Sequence, residues 1–331
     1  MTATLHYTMQ EWARLVHVPR VAKMQSAAII YNPISGGGRE RRLRELEEAA
    51  RILQSAGIAA DLQPTGAPGR ATELARQAVR DARDLVVVAG GDGTINEAVN
   101  GLAGSQVPLA VLPAGTANVV ARELGIPGDF PRATQMILRG TPRRIALGLA
   151  TSPTGKFPPR YFLSIGGAGP DAALMSAVDT KVKLRVGILA YWLEGFRLLA
   201  RYRFPKFRVI SGGREEVATL IVVGRTKHYG GAFQVTTGAD LRENSFELLT
   251  YGGVGPWGYL SALPALLTGK VRQLDHVRYW KANSVRCEPL EGERVFAQVD
   301  GEPIGELPIE FRIVPDALTL VFPDSAESQL S

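Results

Sequence analysis

The chain has 331 residues, of which 45% are hydrophobic and 21% are charged. This length and composition predict about two domains, each with its own apolar core, and exclude a disordered or fibrous protein. The single cysteine, Cys287, excludes a disulfide framework and any multi-cysteine zinc site. A net charge of +6 favours acidic partners such as phosphates, nucleic acid or an anionic membrane surface.

The sequence contains no candidate membrane span, because no uninterrupted apolar run approaches the ~18 residues that a span needs. Residues 1–24 predict an N-terminal extension rather than a signal peptide, since Glu11 and two arginines interrupt the region where an apolar core would lie. We therefore expect a cytoplasmic protein that is peripheral to the membrane.

The first third of the chain alternates short apolar runs with helical patterns. Strands are predicted over 27–32, 58–62, 85–89 and 109–112, and helices over 39–55, 71–82, 94–102 and 117–124. Such alternation predicts an α/β domain, here 25–142, with a parallel sheet and helices on both faces. Ligands of such sheets bind at the carboxyl ends of the strands.

Beyond residue 142 the pattern changes to β-runs joined by turns, which predicts a mostly antiparallel β-sandwich over 143–315. Only 186–200 and 256–267 look helical there, and the proline-rich segment 151–160 predicts a hairpin loop. We expect the segment 316–324 to return to the first domain. Strands are predicted over 145–149, 161–165, 207–210, 217–223, 233–236, 246–251, 277–279, 296–299 and 309–314.

Glycine clusters in three loops that each follow a predicted strand of the first domain. These loops are NPISGGG (32–38), GGDGT (90–94) and PAGTAN (113–118). Glycine lets the backbone approach a ligand, and the helix that follows presents its positive end, so each loop suits a phosphate. One such loop could be an ordinary strand-to-helix turn, but three on one sheet edge predict a phosphate site. Asp92 would repel a phosphate unless it holds magnesium or positions a proton.

These motifs resemble those of a known family. GGDGTINEAVNGL (90–102) resembles the signature of the diacylglycerol kinase catalytic domain, which sphingosine kinases, ceramide kinases and bacterial lipid kinases share. The segments IIYNPISG (29–36), PAGTANVVAR (113–122), YFLSIGG (161–167), YGGAF (229–233) and VDGEP (299–303) follow in the family's order. The resemblance covers about residues 25–323. It implies an NAD-kinase/phosphofructokinase-like first domain and a β-sandwich second domain.

The resemblance also implies an ATP site between the two domains, with Mg²⁺ bridging the phosphate oxygens. The residues that match the family's nucleotide-binding positions are Asn32, Pro33, Ile34, Ser35, Gly36, Thr65, Gly91, Asp92, Gly93, Thr94, Ile95, Asn96, Glu97 and Thr116. A sheet edge with three phosphate loops is also where the residues themselves predict a nucleotide.

The family's proton acceptor matches Glu302, with Asp300 beside it and Asp92 as a further catalytic carboxylate. A lipid hydroxyl is a poor nucleophile, and a positioned base removes its proton as the γ-phosphoryl group is transferred. By itself VDGEP also suits an ordinary hairpin turn with exposed acids. If the catalytic interpretation is right, the tip of this turn must fold back onto the loops of the first domain.

The sequence departs from bacterial relatives at two positions of a structural magnesium network. Where the family has Asp-Leu-Gly, this chain has Ala146-Leu-Gly, and an Asp-Gly pair is replaced by Asn244-Ser245. The accessory ion is therefore in doubt, with Asp240 and Glu243 as the only substitute ligands we identify. Magnesium that arrives with ATP is a separate matter.

The segment 181–208 is basic and aromatic, which suits contact with an anionic membrane where a lipid acceptor would lie. A core helix with a charged rim is the alternative. No nucleic-acid recognition motif accompanies the segment, so we expect no nucleic-acid partner, whereas a homodimer is possible. Its basic residues are Lys181, Lys183, Arg185, Arg197, Arg201, Arg203, Lys206 and Arg208.

Together these observations predict an ATP-dependent kinase that phosphorylates the hydroxyl of a diacylglycerol- or sphingosine-type lipid. One alternative is a soluble NAD kinase-like enzyme, because GGDGT occurs in NAD kinases too. The other is a nucleotide-binding regulator without turnover, against which the retained Asp92, Asp300 and Glu302 argue.

Overall fold

The computed structural model describes residues 20–35, 39–177, 202–231, 233–253 and 255–324. Most of the predicted N-terminal extension, the predicted nucleotide-binding residue Gly36, the predicted helix over 186–200 and most of the basic segment 181–208 lie outside these described residues.

The first half of the chain alternates strands and helices, as predicted. Its elements are β1 (Ser26–Tyr31), α1 (Arg39–Ser55), β2 (Ala59–Pro64), α2 (Arg70–Arg80), β3 (Leu85–Gly90), α3 (Asp92–Leu102), β4 (Leu109–Pro113), α4 (Val119–Glu123) and α5 (Phe130–Arg139). Strands β1–β4 are parallel in the spatial order β2-β1-β3-β4. The prediction of a mostly parallel α/β domain is therefore confirmed.

Strands β3 and β4 are buried along their whole length, which explains why they are continuous apolar runs rather than alternating patterns. Helices pack their apolar faces on this sheet: α2 contributes Ala71, Ala75 and Ala78. The carboxyl ends of β1, β3 and β4 meet at one edge, so the second and third glycine-rich loops lie beside the described start of the first, residues 32–35.

The second half is mostly β-structure. Its elements are β5 (Thr141–Thr151), β6 (Arg160–Phe162), β7 (Ile165–Ala168), α6 (Pro170–Ala177), β8 (Phe207–Ser211), β9 (Arg214–Ala218), β10 (Leu220–Gly224), β11 (His228–Tyr229), β12 (Phe233–Gln234), β13 (Phe246–Tyr251), α7 (Gly255–Leu267), β14 (Val277–Ala282), β15 (Ser284–Pro289), β16 (Phe296–Val299), β17 (Glu302–Glu306) and β18 (Ile309–Phe322).

These strands form a sandwich. One layer is the six-stranded sheet β14-β13-β10-β7-β16-β17, and the other is the antiparallel part of a ten-stranded sheet that continues from β4 through β18. A core of aromatic and branched side chains fills the space between the layers. Within it, the Phe162 ring stacks on Phe246 and meets Phe311 edge-on. The predicted antiparallel β-sandwich is confirmed.

Strand β18 connects the two regions. Its first part pairs with β15, and its last part lies parallel to β4, with Leu320 opposite Leu109. Ala317, Leu318 and Phe322 belong to the apolar core of the parallel region. The end of the described chain thus packs on the first domain's sheet.

Some predicted elements differ from the structure. The predicted strands over 161–165 and 217–223 are each interrupted, so that each is two strands. Helix α5 was not predicted, although Asp129 caps it by accepting from the Arg132 N–H at 2.9 Å. An apolar run shows burial but not where the chain turns, which explains the merged strands.

A search of the described helices finds none whose length and apolar character would let it span a membrane.

Candidate active site

Two of the glycine-rich loops touch. A β-carbon at Gly115 would lie 2.6 Å from Cα of Gly91, so neither position has room for a side chain without displacement of the other loop. Asn118 keeps its own loop closed, because its Oδ1 accepts from the Gly115 N–H and its Nδ2 donates to the Gly115 carbonyl, both at 2.8 Å. Asn118 itself has a left-handed backbone, with φ of 48°.

Asp92 links these two loops. Its Oδ1 accepts from the backbone N–H of Val119, the first residue of α4, at 2.7 Å. Burial raises the pKa of Asp92 above its ordinary value, although the Val119 hydrogen bond opposes the shift. The carboxylate therefore helps to hold the loops in register, in addition to any contact with a ligand.

The first loop presents an unusual apolar side chain. Ile34 is 75% exposed, and the loop is closed by Asn32, whose Oδ1 accepts from the Ile34 N–H at 3.1 Å. Pro33 and Ser35 lie in the same turn. Ile34 is therefore an exposed apolar side chain next to the glycine-rich loops.

The other predicted nucleotide residues differ in accessibility. Thr116 is exposed in the third loop and Thr94 is half-buried at the start of α3, whereas Thr65, which directly follows β2, is buried. Ile95 is 1% exposed and packs in the core, so its side chain cannot contact a ligand. Glu97 accepts from the backbone N–H groups of Gly69 and Ala71 and thereby holds the start of α2.

Asn96 faces the second domain. Its Nδ2 donates to Oδ2 of Asp300 at 2.8 Å and to the Tyr161 carbonyl at 3.0 Å. One helical turn later, Asn100 donates to the same carbonyl and accepts from the Tyr161 N–H. Helix α3 thus binds the second domain through its amide side chains, a role that the sequence pattern did not predict.

The Asp-Gly turn is a tight hairpin between β16 and β17. Asp300 and Gly301 have positive φ values of 47° and 82°, typical of the two-residue turns that favour these residue types. The Asp300 carboxylate accepts three backbone N–H groups, those of Leu163, Ser164 and Ile165, each at 2.9 Å. Asp300 therefore anchors the hairpin against the β6–β7 connection.

Glu302 follows this turn and points back onto the first domain. Its Oε1 lies where a β-carbon on Gly93 would approach it to 2.8 Å, so it lies against the first turn of α3. Its Oε2 accepts from Nη2 of Arg160 at 2.5 Å. Burial raises the pKa of Glu302, Arg160 opposes the shift, and Glu97 and Asp300 reinforce it. The predicted return of the turn onto the first domain is therefore observed.

Arg160 is a site residue that sequence reasoning missed. Its Nε donates to Oδ1 of Asn96 at 3.1 Å while its Nη2 binds Glu302, so one side chain joins both domains at the carboxylate. The available signal was a single arginine at the end of the proline-rich loop. That signal does not distinguish a bridging arginine from an exposed one.

A cavity of about 230 Å³ lies in the second domain, between the six-stranded sheet and α7. Its walls are almost entirely apolar, with Val222 and Leu249 from the sheet and Ala262 and Leu266 from the helix. Asp171 is the charged residue among its described lining residues, and its Oδ2 accepts from the Tyr229 hydroxyl at 2.6 Å. Its Oδ1 is buried without a hydrogen-bond partner among the described residues.

The cavity and the Asp-Gly-Glu turn are joined by Gln298. Its Nε2 lies 3.3 Å from Oδ2 of Asp171, and its Oε1 accepts from the Gly301 N–H at 3.0 Å. The polar end of an apolar cavity is therefore two hydrogen bonds from the turn that carries Glu302.

The residues considered for an accessory metal do not fit one. Asp240 forms an ion pair with Arg242 at 2.7 Å, and Glu243 binds Lys281 and accepts from the Ser245 hydroxyl at 2.9 Å. Within the described ranges, no three histidine, cysteine, aspartate or glutamate side chains gather as a metal site. Asp240 and Glu243 are therefore surface ion-pair partners here.

Comparison with known proteins agrees with this geometry. Residues 26–150 match the model of the diacylglycerol kinase catalytic domain, and residues 164–322 match the YegS C-terminal NAD kinase beta sandwich-like domain. A diacylglycerol kinase of Bacillus subtilis strain 168 is 32% identical over 312 residues, which cover 93% of this chain and 99% of that one. A diacylglycerol kinase of Staphylococcus aureus strain RF122 / ET3-1 is 31% identical over 86% of this chain and 88% of its own.

The fold also matches a crystal structure described as a diacylglycerol kinase from Bacillus anthracis strain Sterne. The TM-score is 0.70 at 23% identity, over 92% of this chain and 99% of that one. The family model and the curated relatives define a lipid kinase, which favours this prediction over an NAD kinase-like enzyme or a regulator without turnover. The chain belongs to the diacylglycerol kinase family.

Proposed function

We propose that this lipid kinase transfers the γ-phosphoryl group of ATP to the free hydroxyl of a diacylglycerol. The observation that carries the proposal is the position of Glu302, a carboxylate from the second domain that lies against Gly93 in the phosphate loop of the first. A base from one domain and a phosphate loop from the other then meet at the interdomain cleft.

ATP binds at the carboxyl edge of the parallel sheet in this proposal. The loops around Gly91 and Gly115 present backbone N–H groups to the phosphates, and α3 directs its positive end at them. Ile34, Thr116 and the first loop contact the rest of the nucleotide. Mg²⁺ enters as part of the nucleotide substrate and neutralises phosphate charge, and Asp92 is the loop carboxylate that would hold it.

Glu302 acts as the general base. It takes the proton of the acceptor hydroxyl, the oxygen forms a bond to the γ-phosphorus, and the bond to the β,γ-bridging oxygen breaks to release ADP. Arg160 keeps the carboxylate oriented by its ion pair. Because the pKa of Glu302 is raised, the deprotonated form is a stronger base than an exposed glutamate.

The acceptor places one acyl chain in the apolar cavity. At about 230 Å³ the cavity is smaller than the roughly 300–1,000 Å³ typical of ligand pockets, which suits a chain rather than a whole lipid. Asp171 and Tyr229 at its polar end bind the glycerol region, and Gln298 connects them to the turn that carries Glu302.

The position and composition of α7 support the proposal of membrane contact. This helix carries no charged residue, lines the cavity with one side, and exposes Trp257 by 81% and Leu267 by 64%. The exposed cation Lys270 follows it, as suits an element at an anionic interface. We propose that α7 rests in the membrane surface, together with the predicted basic segment 181–208, so that lipid enters the cavity without leaving the bilayer.

A sphingoid base is the second candidate acceptor, and Asp171 is the observation that favours it. A buried carboxylate oxygen without a partner among the described residues would pair with an ammonium group better than with an ester. Burial raises the pKa of Asp171, and a bound cation would restore its charged form.

The test is transfer of label from γ-labelled ATP to diacylglycerol, sphingosine and ceramide in mixed micelles. We expect label on diacylglycerol, and Glu302→Gln should lower kcat by about 10²–10⁴-fold. Equal labelling by the native protein and Glu302→Gln would show that Glu302 is not the general base. If none of the lipids is labelled, the proposed class of acceptor is wrong.

Asp171→Asn separates the two acceptors, because it removes the charge and keeps the shape. With a diacylglycerol acceptor the variant should retain most of its activity, since an amide can still bind the Tyr229 hydroxyl. With a sphingoid acceptor KM should rise by about tenfold or more through loss of the ion pair. Tyr229→Phe is the matched control, because it removes the hydrogen bond to Asp171 and keeps the carboxylate of Asp171.

A further inference from the structure

The second domain contains an arginine that is fully buried. Arg225 directly follows β10, and its Nη atoms donate to five backbone carbonyls at 2.6–3.4 Å. Burial lowers its pKa to about 10, which leaves the guanidinium charged at neutral pH. The acceptors are the carbonyl oxygens of Asp240, Glu243 and Ser245 for Nη1, and those of Ala146 and Leu241 for Nη2.

Such a ring of oxygens is the environment of a cation. Convergent carbonyl groups are ligands that hard metal ions accept, and here the loop 240–245 and strand β5 supply them to a guanidinium instead. A buried charge without such partners is strongly unfavourable, so the five dipoles are what permit Arg225 in this position.

The departures from the bacterial pattern lie at this same place. Ala146 and the Asn244-Ser245 pair stand where the resemblance implies aspartates of a structural magnesium network. The backbone carbonyls of Ala146 and Ser245 both accept from Arg225, at 3.0 and 2.9 Å. Two carboxylates of the family pattern are therefore absent next to the fixed positive charge of Arg225. That charge would also repel a divalent ion.

We propose that the Arg225 guanidinium takes the structural place of the accessory magnesium ion, so that the second domain of this chain is held by an internal cation. The side chains of Asp240 and Glu243 pair directly with Arg242 and Lys281. Their negative charges also favour the charged form of Arg225.

The same residue is connected to the active site. The Arg225 N–H donates to the Ser164 carbonyl at 2.8 Å, and the Ser164 N–H donates to Oδ1 of Asp300 at 2.9 Å. Arg225 therefore ties the loop 240–245 to the strand connection that holds the catalytic turn. Its loss should affect the stability of the domain and the placement of Asp300 together.

The first test uses the native protein without nucleotide, so that magnesium carried by ATP is not counted. After dialysis against EDTA, we expect elemental analysis to find no stoichiometric divalent ion. Chelation followed by Mg²⁺ addition should change Tm by less than about 1 °C, because a ligand that does not bind cannot stabilise. One equivalent of retained ion, or a Tm that falls on chelation and recovers with Mg²⁺, overturns the proposal.

The second test compares two arginines of the same region. Arg225→Met keeps the volume but removes the guanidinium donor from five carbonyls, so Tm should fall by about 10 °C and Mg²⁺ should not restore it. Arg242→Met, which removes a partly exposed partner of Asp240, should shift Tm by no more than about 3 °C. Equal Tm values for the two variants would refute the proposal. If Arg225→Met does not fold, the chelation experiment on the native protein still decides.

Discussion

Oε2 of Glu302 accepts a hydrogen bond from Nη2 of Arg160 at 2.5 Å, and the same arginine donates through Nε to Asn96. One guanidinium thus joins the proposed base on the second domain to helix α3 of the first. The pair explains how a carboxylate after a hairpin turn can be held at a fixed position against a glycine-rich loop of the first domain.

Arg160→Met should displace the pH profile of the kinase. Burial raises the pKa of Glu302 and Arg160 lowers it, so removal of the cation should raise that pKa further. A base works deprotonated, so activity is lost as pH falls through the pKa. The acidic limb of kcat/KM should therefore move to higher pH, which a pH–rate profile from 5 to 9 measures. Arg160→Lys keeps the charge and should move the limb less, whereas an unmoved limb in Arg160→Met would contradict the assignment.

Gly93→Ala should reduce turnover without destabilising the protein. The added β-carbon would lie 2.8 Å from Oε1 of Glu302 and displace the carboxylate, for which we expect a loss in kcat of about 10–100-fold. Because Gly93 lies in helix α3, alanine should not lower Tm. Gly128→Ala, at a position with open space around it, is the control. Equal kcat values in the two variants would show that Glu302 does not work from this position.

Ala262→Trp should fill the apolar cavity from the helix side. Long-chain diacylglycerol should then show a KM at least about tenfold higher, because the indole occupies the volume that an acyl chain needs. A water-soluble short-chain acceptor should be affected less, and the ratio of the two kcat/KM values is the measurement. Ser261→Trp places the same ring on an exposed neighbouring position of α7 as the control. An unchanged ratio would mean that the chain binds elsewhere.

Trp257→Ser should weaken binding to anionic vesicles. The indole is 81% exposed, and its burial in an interface contributes about 1.5–3 kcal/mol, which is at least a tenfold change in partition. Vesicle flotation measures the change. Val217→Ser alters another exposed apolar side chain, 54% exposed on β9, and should leave flotation unaltered. The same loss in both variants would rule out a specific role for α7.

The sequence predicted the loops and turns of the site whose backbone geometry is encoded locally. The loops that contain Gly91 and Gly115, and the Asp300-Gly301 turn, are encoded within a few residues, since glycine and Asp-Gly pairs specify backbone geometry locally. Apolar runs predicted most strands of both domains, because the burial of a strand is also evident from its own residues. The residue types at Ala146 and Ser245 also showed by themselves that the chain departs from the family's pattern for the accessory magnesium ion.

The roles of Arg160 and Arg225 were decided only by the tertiary structure. Both are single arginines with no local pattern, and their partners lie far along the chain: Glu302 is 142 residues from Arg160, and Ala146 is 79 residues from Arg225. Whether an arginine is solvated or enclosed by acceptors depends on how the two sheets stack and on the register of their strands. Periodicity tells which face of an element is buried, but it does not name the group that faces it. The sequence alone therefore determined the glycine-rich loops and the turn. The packing of the two domains determined that Glu302 meets Gly93, and the packing within the second domain determined that Arg225 is enclosed by backbone carbonyls.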